Sequence, residues 1–384
     1  MNYSNTETTD WIDRALGCSA DDPLHVLRRQ REKVISASQG SYGAIFDPNI
    51  SGINIEERWL VAHAVAKLTE CTALADLYAK NNNGIDLKTI KTRQNILLEY
   101  VEILTLRPAE GDQKALNKLM SNGFSVLEIV MLTQLIGFVA YQARVVMGLK
   151  AITHYPSNLT GNLQSEDSSF THPAHLSAPK EVLRIQGFTS ETLGWKAWLP
   201  VLDLSQATEH QLAVLKASHP SATSSDYYLT LVQHPQILEE RSAAFNAIMY
   251  APGGLSRAER ELASTVVSRM NGCVYCAAVH AQRFEQLTKR NDVIAQVFTD
   301  PVTAGTNDRE RSIVKAAIDL TQSPEKFDQM HLASFNPQEA LDLVHAIALF
   351  AWANRLMLNL GEPVLPTFIK SRPTLKEMPF RADP

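Results

Sequence analysis

Apolar residues recur at helical spacing along nearly the whole chain, and no stretch shows strands alternating with helices. Ser256-x-x-Glu259 and Asn54-x-x-Glu57 each read as a capping box, in which a side-chain oxygen and a glutamate satisfy free N–H groups at a helix start. Asn271-Gly272 is expected to break the helix opened at Ser256, so that Cys273 falls in the first turn of the next. Residues 126–150 and 338–360 read as long, mostly apolar helices. The greasiest run, 129–139, is interrupted by Thr133 and Gln134 and stops near Arg144. It falls short of the roughly 20 residues a bilayer demands and reads as a buried helix. The expected fold class is all-α, in two helical domains.

The chain also repeats itself. Residues 53–60 (INIEERWL) match 255–262 (LSRAEREL) at an offset of 202, which sets Cys71 against Cys273. Residues 124–128 (FSVLE) match 335–339 (FNPQE) at an offset of 211, which superposes Arg144 on Arg355 inside the two apolar helices. The second copy therefore carries about nine extra residues between the blocks. At the first offset Trp59 stands for Glu261, Leu74 for Cys276 and Tyr78 for His280. The fold is expected in both copies and the chemistry only in the second. The expected organisation is an arm over 1–35, a degenerate domain over 36–152, a partly flexible connector over 153–240 and a catalytic domain over 241–384. Within the connector, 155–173 is rich in Ser, Asn, Thr and Gly and reads as flexible. Residues 188–204, with Trp195 and Trp198, are expected to pack on one of the domains.

Composition narrows the partners. A length of 384 residues favours two cores over one, and a net charge of −5 makes no case for nucleic acid or an anionic membrane surface. The polar first ten residues lack a basic start and an apolar core, so a cytoplasmic location is expected. Four cysteines make no disulfide framework, and in a reducing compartment a close pair is more often catalytic or metal-binding than structural.

Such a pair lies in residues 271–280, N-G-C-V-Y-C-A-A-V-H. On a helix Cys273, Cys276 and His280 fall within an arc of about 60°. Glu261 lies twelve residues before Cys273 and completes a thiol, imidazole and carboxylate set. A helix N-terminus favours thiolate, His280 sits where it can accept the proton of Cys276, and Glu261 can orient the imidazole. A C-x-x-C pair also serves zinc, but these residues supply three of four ligands, with His345 the only further candidate. The bland alternative is two small buried hydrophobes beside a satisfied histidine. The remaining histidines, and the single thiols Cys18 and Cys71, form no such set.

Glu261, Cys273, Cys276 and His280 together resemble the E-x11-C-x2-C-x3-H signature of AhpD-like alkylhydroperoxidases, within the carboxymuconolactone decarboxylase superfamily. The text around them, residues 253–289, looks like the peroxidase-related branch, and the helix with Phe350, Asn354 and Arg355 is similar to the family's closing helix. The resemblance covers residues 245–361, with a decayed copy over 42–150. It implies two tandem AhpD-like all-α domains, the first degenerate, in a chain that assembles as a homo-oligomer. It also implies a thiol-dependent peroxidase, acting on a peroxide with a dithiol or thiol-protein reductant and without cofactor or metal. Cys276 would be peroxidatic, Cys273 would resolve its sulfenic acid as a disulfide, and His280 with Glu261 would relay the proton. Tyr275 stands where well-described members have a second histidine, which shortens the relay. The competing readings are a thiol-disulfide oxidoreductase or a redox sensor of the same fold.

Overall fold

The computed structural model describes residues 9–81, 92–152 and 181–365, so the segment 155–173 read as flexible lies outside the described residues. The first half contains α1 (Trp11–Leu16), α2 (Pro23–Arg28), α3 (Glu32–Ile45), α4 (Ile55–Leu68), α5 (Thr72–Ala79), α6 (Thr92–Leu106), α7 (Gln113–Ser121) and α8 (Val126–Lys150). The second contains α9 (Glu209–Ser218), α10 (Asp226–Leu231), α11 (Pro235–Met249), α12 (Arg257–Met270), α13 (Val274–Thr288), α14 (Asp292–Thr299), α15 (Asp308–Gln322) and α16 (Pro337–Asn359). The protein is all-α. Four short strands decorate it: β1 (Arg184–Ile185) pairs antiparallel with β2 (Phe188–Thr189), and β3 (Gly194–Ala197) with β4 (Gly361–Val364). In the second pair Gly194 faces Val364 and Ala197 faces Gly361. Trp195 donates its indole N–H to the Met357 carbonyl at 3.0 Å, which docks the 188–204 segment on the end of α16.

Both capping boxes form, Asn54 with Glu57 at the start of α4 and Ser256 with Glu259 at the start of α12. The same device opens α8 (Ser125, Glu128) and α16 (Asn336, Glu339). In each repeat one arginine then ties two of these glutamates together. Arg93 bonds Glu57 and Glu128 at 2.8 and 2.5 Å, and Arg309 bonds Glu259 and Glu339 at 2.7 and 2.8 Å. Each guanidinium also stacks on a ring, Phe124 at 3.9 Å and Phe335 at 4.5 Å. The duplication read from a few sequence matches is thus a duplication of local stabilising chemistry.

The helices α8 and α16 are apolar on all sides, and by length and composition either could cross a membrane. Here both are buried, packed on each other at the centre of the protein. Such helices need cover all round, since each fully buried aliphatic or Phe side chain is worth about 1.5–3 kcal/mol. Close approach depends on Gly137, where a Cβ would come within 2.4 Å of Trp352, and on Gly148, where it would meet Val344 at 2.6 Å.

Across this seam the repeats grip each other reciprocally. Arg144 of α8 donates to the Thr321 carbonyl at the end of α15, and Arg355 of α16 to the Thr105 carbonyl at the end of α6, both at 2.7 Å. Each buried guanidinium meets the orphan carbonyls of a helix C-terminus in the other repeat. Burial pushes both arginines down, Arg144 to about 10.

The all-α, tandem arrangement is as expected, and the buried apolar residues of the two repeats join in one cluster from Trp11 to Leu360. Residues 181–240, expected as connector, form strands and helices that belong to the second half, and part of the expected arm 1–35 is the helices α1 and α2. Local periodicity carried no sign of these contacts, because they join residues far apart in sequence.

Candidate functional site

Asn271 closes α12, and Gly272 turns the chain with φ +75°, a left-handed conformation that suits a residue without Cβ. Cys273 is then the N-cap of α13, its N–H donating to the Ser268 carbonyl at 2.8 Å and its carbonyl accepting from Ala277 at 3.0 Å. Cys276 sits in the first turn of α13 and His280 one turn further on the same face. Glu261 lies mid-way along α12, which packs against α13.

The structure brings the carboxylate and the imidazole together: His280 Nδ1 lies 2.5 Å from Glu261 Oε2. Burial alone would push the Glu261 carboxyl up, but His280 and Arg257 outweigh it and hold the group below its ordinary value. An ionised carboxylate only accepts, so Nδ1 carries the hydrogen, and in the neutral ring the lone pair is on Nε2. Arg257 donates to the other Glu261 oxygen at 2.5 Å and lies over the Tyr250 ring at 3.8 Å. Phe350 of α16 meets the His280 ring edge-on at 4.4 Å.

Both thiols are free and buried. The helix N-terminus was expected to favour thiolate, and at Cys273 burial reverses this. Cys273 is 1% exposed and Cys276 5%. Burial pushes the Cys273 thiol well up and the neighbouring Cys276 adds to this, against the opposing Cys276 N–H and Asn354 side chain. Asn354 is fixed by Asn271 and Ser268, at 3.0 and 3.1 Å. Desolvation at the N-cap therefore outweighs the helix terminus, and Cys273 is held as the neutral thiol.

Cys276, Tyr275 and His280 open on a cavity of about 200 Å³, walled also by Phe350, by Arg241 of α11 and by Tyr227 of α10. Burial pushes Tyr275 up to about 12, so it stays a phenol. Cys273 is not on the cavity wall. Sequence reasoning missed Arg257, although its i, i+4 spacing to Glu261 was a usable signal. It also missed Tyr227, which comes from the segment read as connector, and Arg241, at the very start of the expected catalytic domain. His345, weighed as a zinc ligand, packs elsewhere, with Nδ1 3.3 Å from the Tyr141 hydroxyl. Among the described residues no group of three or more His, Cys, Asp or Glu side chains is arranged to hold a metal.

The sequence model of the Carboxymuconolactone decarboxylase family matches residues 235–319, the helices that carry this site. No curated protein matches the sequence. Solved structures are also similar, two of them as follows. One is an alkylhydroperoxidase AhpD core, an uncharacterized peroxidase-related protein from Ralstonia eutropha JMP134, at 22% identity and a TM-score of 0.36 over 43% of this chain and 97% of that one. The other is an uncharacterized peroxidase-related protein from Silicibacter sp. TM1040, at 22% identity and a TM-score of 0.36 over 42% of this chain and 91% of that one. The stretch of the C-terminal repeat over residues 235–319 is thus similar to the Carboxymuconolactone decarboxylase family.

Proposed function

We propose that the protein is an alkylhydroperoxidase-like oxidoreductase that reduces a peroxide with the thiol pair of its C-terminal repeat. The observation that carries this reading is the buried Glu261–His280 pair set one helical turn from Cys276, at the wall of a cavity. The Nε2 lone pair of His280 takes the Cys276 proton, and Glu261 compensates the imidazolium that forms.

The thiolate attacks one oxygen of the hydroperoxide, the O–O bond breaks, and the alkoxide leaves with the proton held by His280 as an alcohol. Cys276 becomes a sulfenic acid. Cys273 then attacks its sulfur, a disulfide forms, and water departs. An external dithiol restores both thiols by exchange. Burial suits Cys273 to this second role, since a thiol kept neutral and off the cavity wall competes poorly for peroxide.

The test is steady-state turnover of organic hydroperoxides and hydrogen peroxide with a small dithiol. Consumption should be saturable and lost in Cys276→Ser. Thiol–disulfide exchange without peroxide consumption would instead favour an oxidoreductase or sensor.

A further inference from the structure

The walls of the Cys276 cavity include Arg241, Arg257 and Arg283, with His219 and His280, and no aspartate or glutamate. Two of the three arginines are committed. Arg257 is bound to Glu261 at 2.5 Å, and Arg283 donates to the Gln286 side-chain oxygen at 2.8 Å. Arg241 is different. It is 5% exposed, its Nε is buried without an acceptor, and among the described residues it makes no hydrogen bond or ion pair. Its guanidinium meets only the faces of Tyr227 and Trp352, each at 5.6 Å. The Tyr227 hydroxyl beside it is likewise buried without a partner.

A buried guanidinium loses its hydration, and two rings at this distance return only part of it. Five N–H donors in a planar fork match a carboxylate, and a phenol O–H adds a further donor. Phe245, Val279, Phe350 and Met357 give the wall an apolar part, beside serines, Asn246 and tyrosine rings. At about 200 Å³ the space falls below that of drug-sized ligand sites and fits a short chain. We propose that the hydroperoxide taken beside Cys276 carries a carboxylate, held by Arg241 and the Tyr227 hydroxyl, with a short aliphatic chain against the apolar part of the wall. The proposal rests on the reading of Cys276 as the reacting thiol. Arg241 is then a specificity residue, set apart from the proton relay.

The test uses hexanoate and hexanamide, which share a shape and differ in charge, on the reduced full-length protein. By calorimetry hexanoate should bind at least about tenfold more tightly than hexanamide, the scale of one charge-assisted hydrogen bond. Arg241→Met should abolish that preference and Arg241→Lys keep part of it. In the unaltered protein, hexanoate should slow labelling of Cys276 by N-ethylmaleimide and hexanamide should not, an arm that stands even where a variant fails to fold. Equal binding or equal protection by the two compounds, or undiminished hexanoate binding in a folded Arg241→Met protein, would overturn the proposal. Selective hexanoate binding without peroxide turnover would count against the peroxidase reading alone. Turnover without that selectivity would count against the carboxylate alone.

Discussion

Equivalent positions of the two repeats are filled in opposite ways. In the first, Trp59 stacks on Phe46 at 4.1 Å, Trp11 on Tyr42 at 4.4 Å, and the Tyr78 ring closes against both groups. In the second, the counterparts of Trp59 and Tyr78 are Glu261 and His280, a hydrogen-bonded carboxylate and imidazole beside a cavity. The capping boxes and the arginine clamps recur in both. The scaffold therefore tolerates either a packed aromatic cluster or a polar site, and three side chains decide which. Cys71 and Cys273 show what does not decide. Both follow a residue of positive φ, Glu70 at +56° and Gly272 at +75°, both cap the next helix, and burial raises both thiols. A cysteine at this corner is buried in either repeat, and in the second it has a neighbouring thiol, Cys276. What the second repeat adds is Cys276 with its base.

The largest effect that separates the repeats is expected from the cysteines themselves. Cys276→Ser should abolish dithiol-dependent peroxide turnover, while Cys71→Ser should leave it within about twofold. Activity surviving in Cys276→Ser would dissolve the contrast. Next come the relay residues. Glu261→Gln and His280→Gln should each slow Cys276 oxidation by about 10²–10⁴-fold, the range for losing a general acid–base. Stopped-flow peroxide reduction, with helicity checked by circular dichroism, reads this; a change under tenfold in either variant would remove the pair from the chemistry.

A smaller effect concerns the seam. Trp352 donates to Gln134 at 2.9 Å, and the counterparts by the 211-residue offset are Tyr141 and His345, 3.3 Å apart. Burial pulls His345 down to about 3 from its ordinary 6.5, with the nearby Arg28 acting in the same sense. The unfolded chain then binds the proton first, so stability falls as pH drops below 6.5 and goes on falling toward pH 3. The slope is up to about 1.4 kcal/mol per pH unit. His345→Gln makes the two pairs alike and should flatten this part of the acid-unfolding curve. An unchanged curve would mean that His345 does not set it.

Much of this contrast was legible in sequence, for physical reasons. The helix starts could be read because capping boxes are local, and the break before Cys273 because Asn-Gly ends a helix. The Glu261–His280 pair could be anticipated because two helices joined by a tight turn bring fixed positions face to face. Spacing gives the face of a helix but not its depth, so the burial of Cys273 was missed. The Arg144–Thr321 and Arg355–Thr105 grips were invisible because each joins residues of different repeats through a backbone carbonyl that any residue supplies. Arg241 escaped notice because nothing adjacent in sequence marks a charge that lacks a partner.

The most direct measurement is to identify which sulfur peroxide oxidises first. A Cys273→Ser protein treated with one equivalent of hydrogen peroxide and a dimedone-type probe should carry the probe on Cys276, with Cys18 and Cys71 unmodified by peptide mass spectrometry. The unaltered protein should instead lose two hydrogens on the peptide that contains Cys273 and Cys276. Probe on Cys71 or Cys18, or sulfenic acid on Cys273 in a Cys276→Ser protein at an equal rate, would contradict the assignment of the chemistry to Cys276 of the C-terminal repeat.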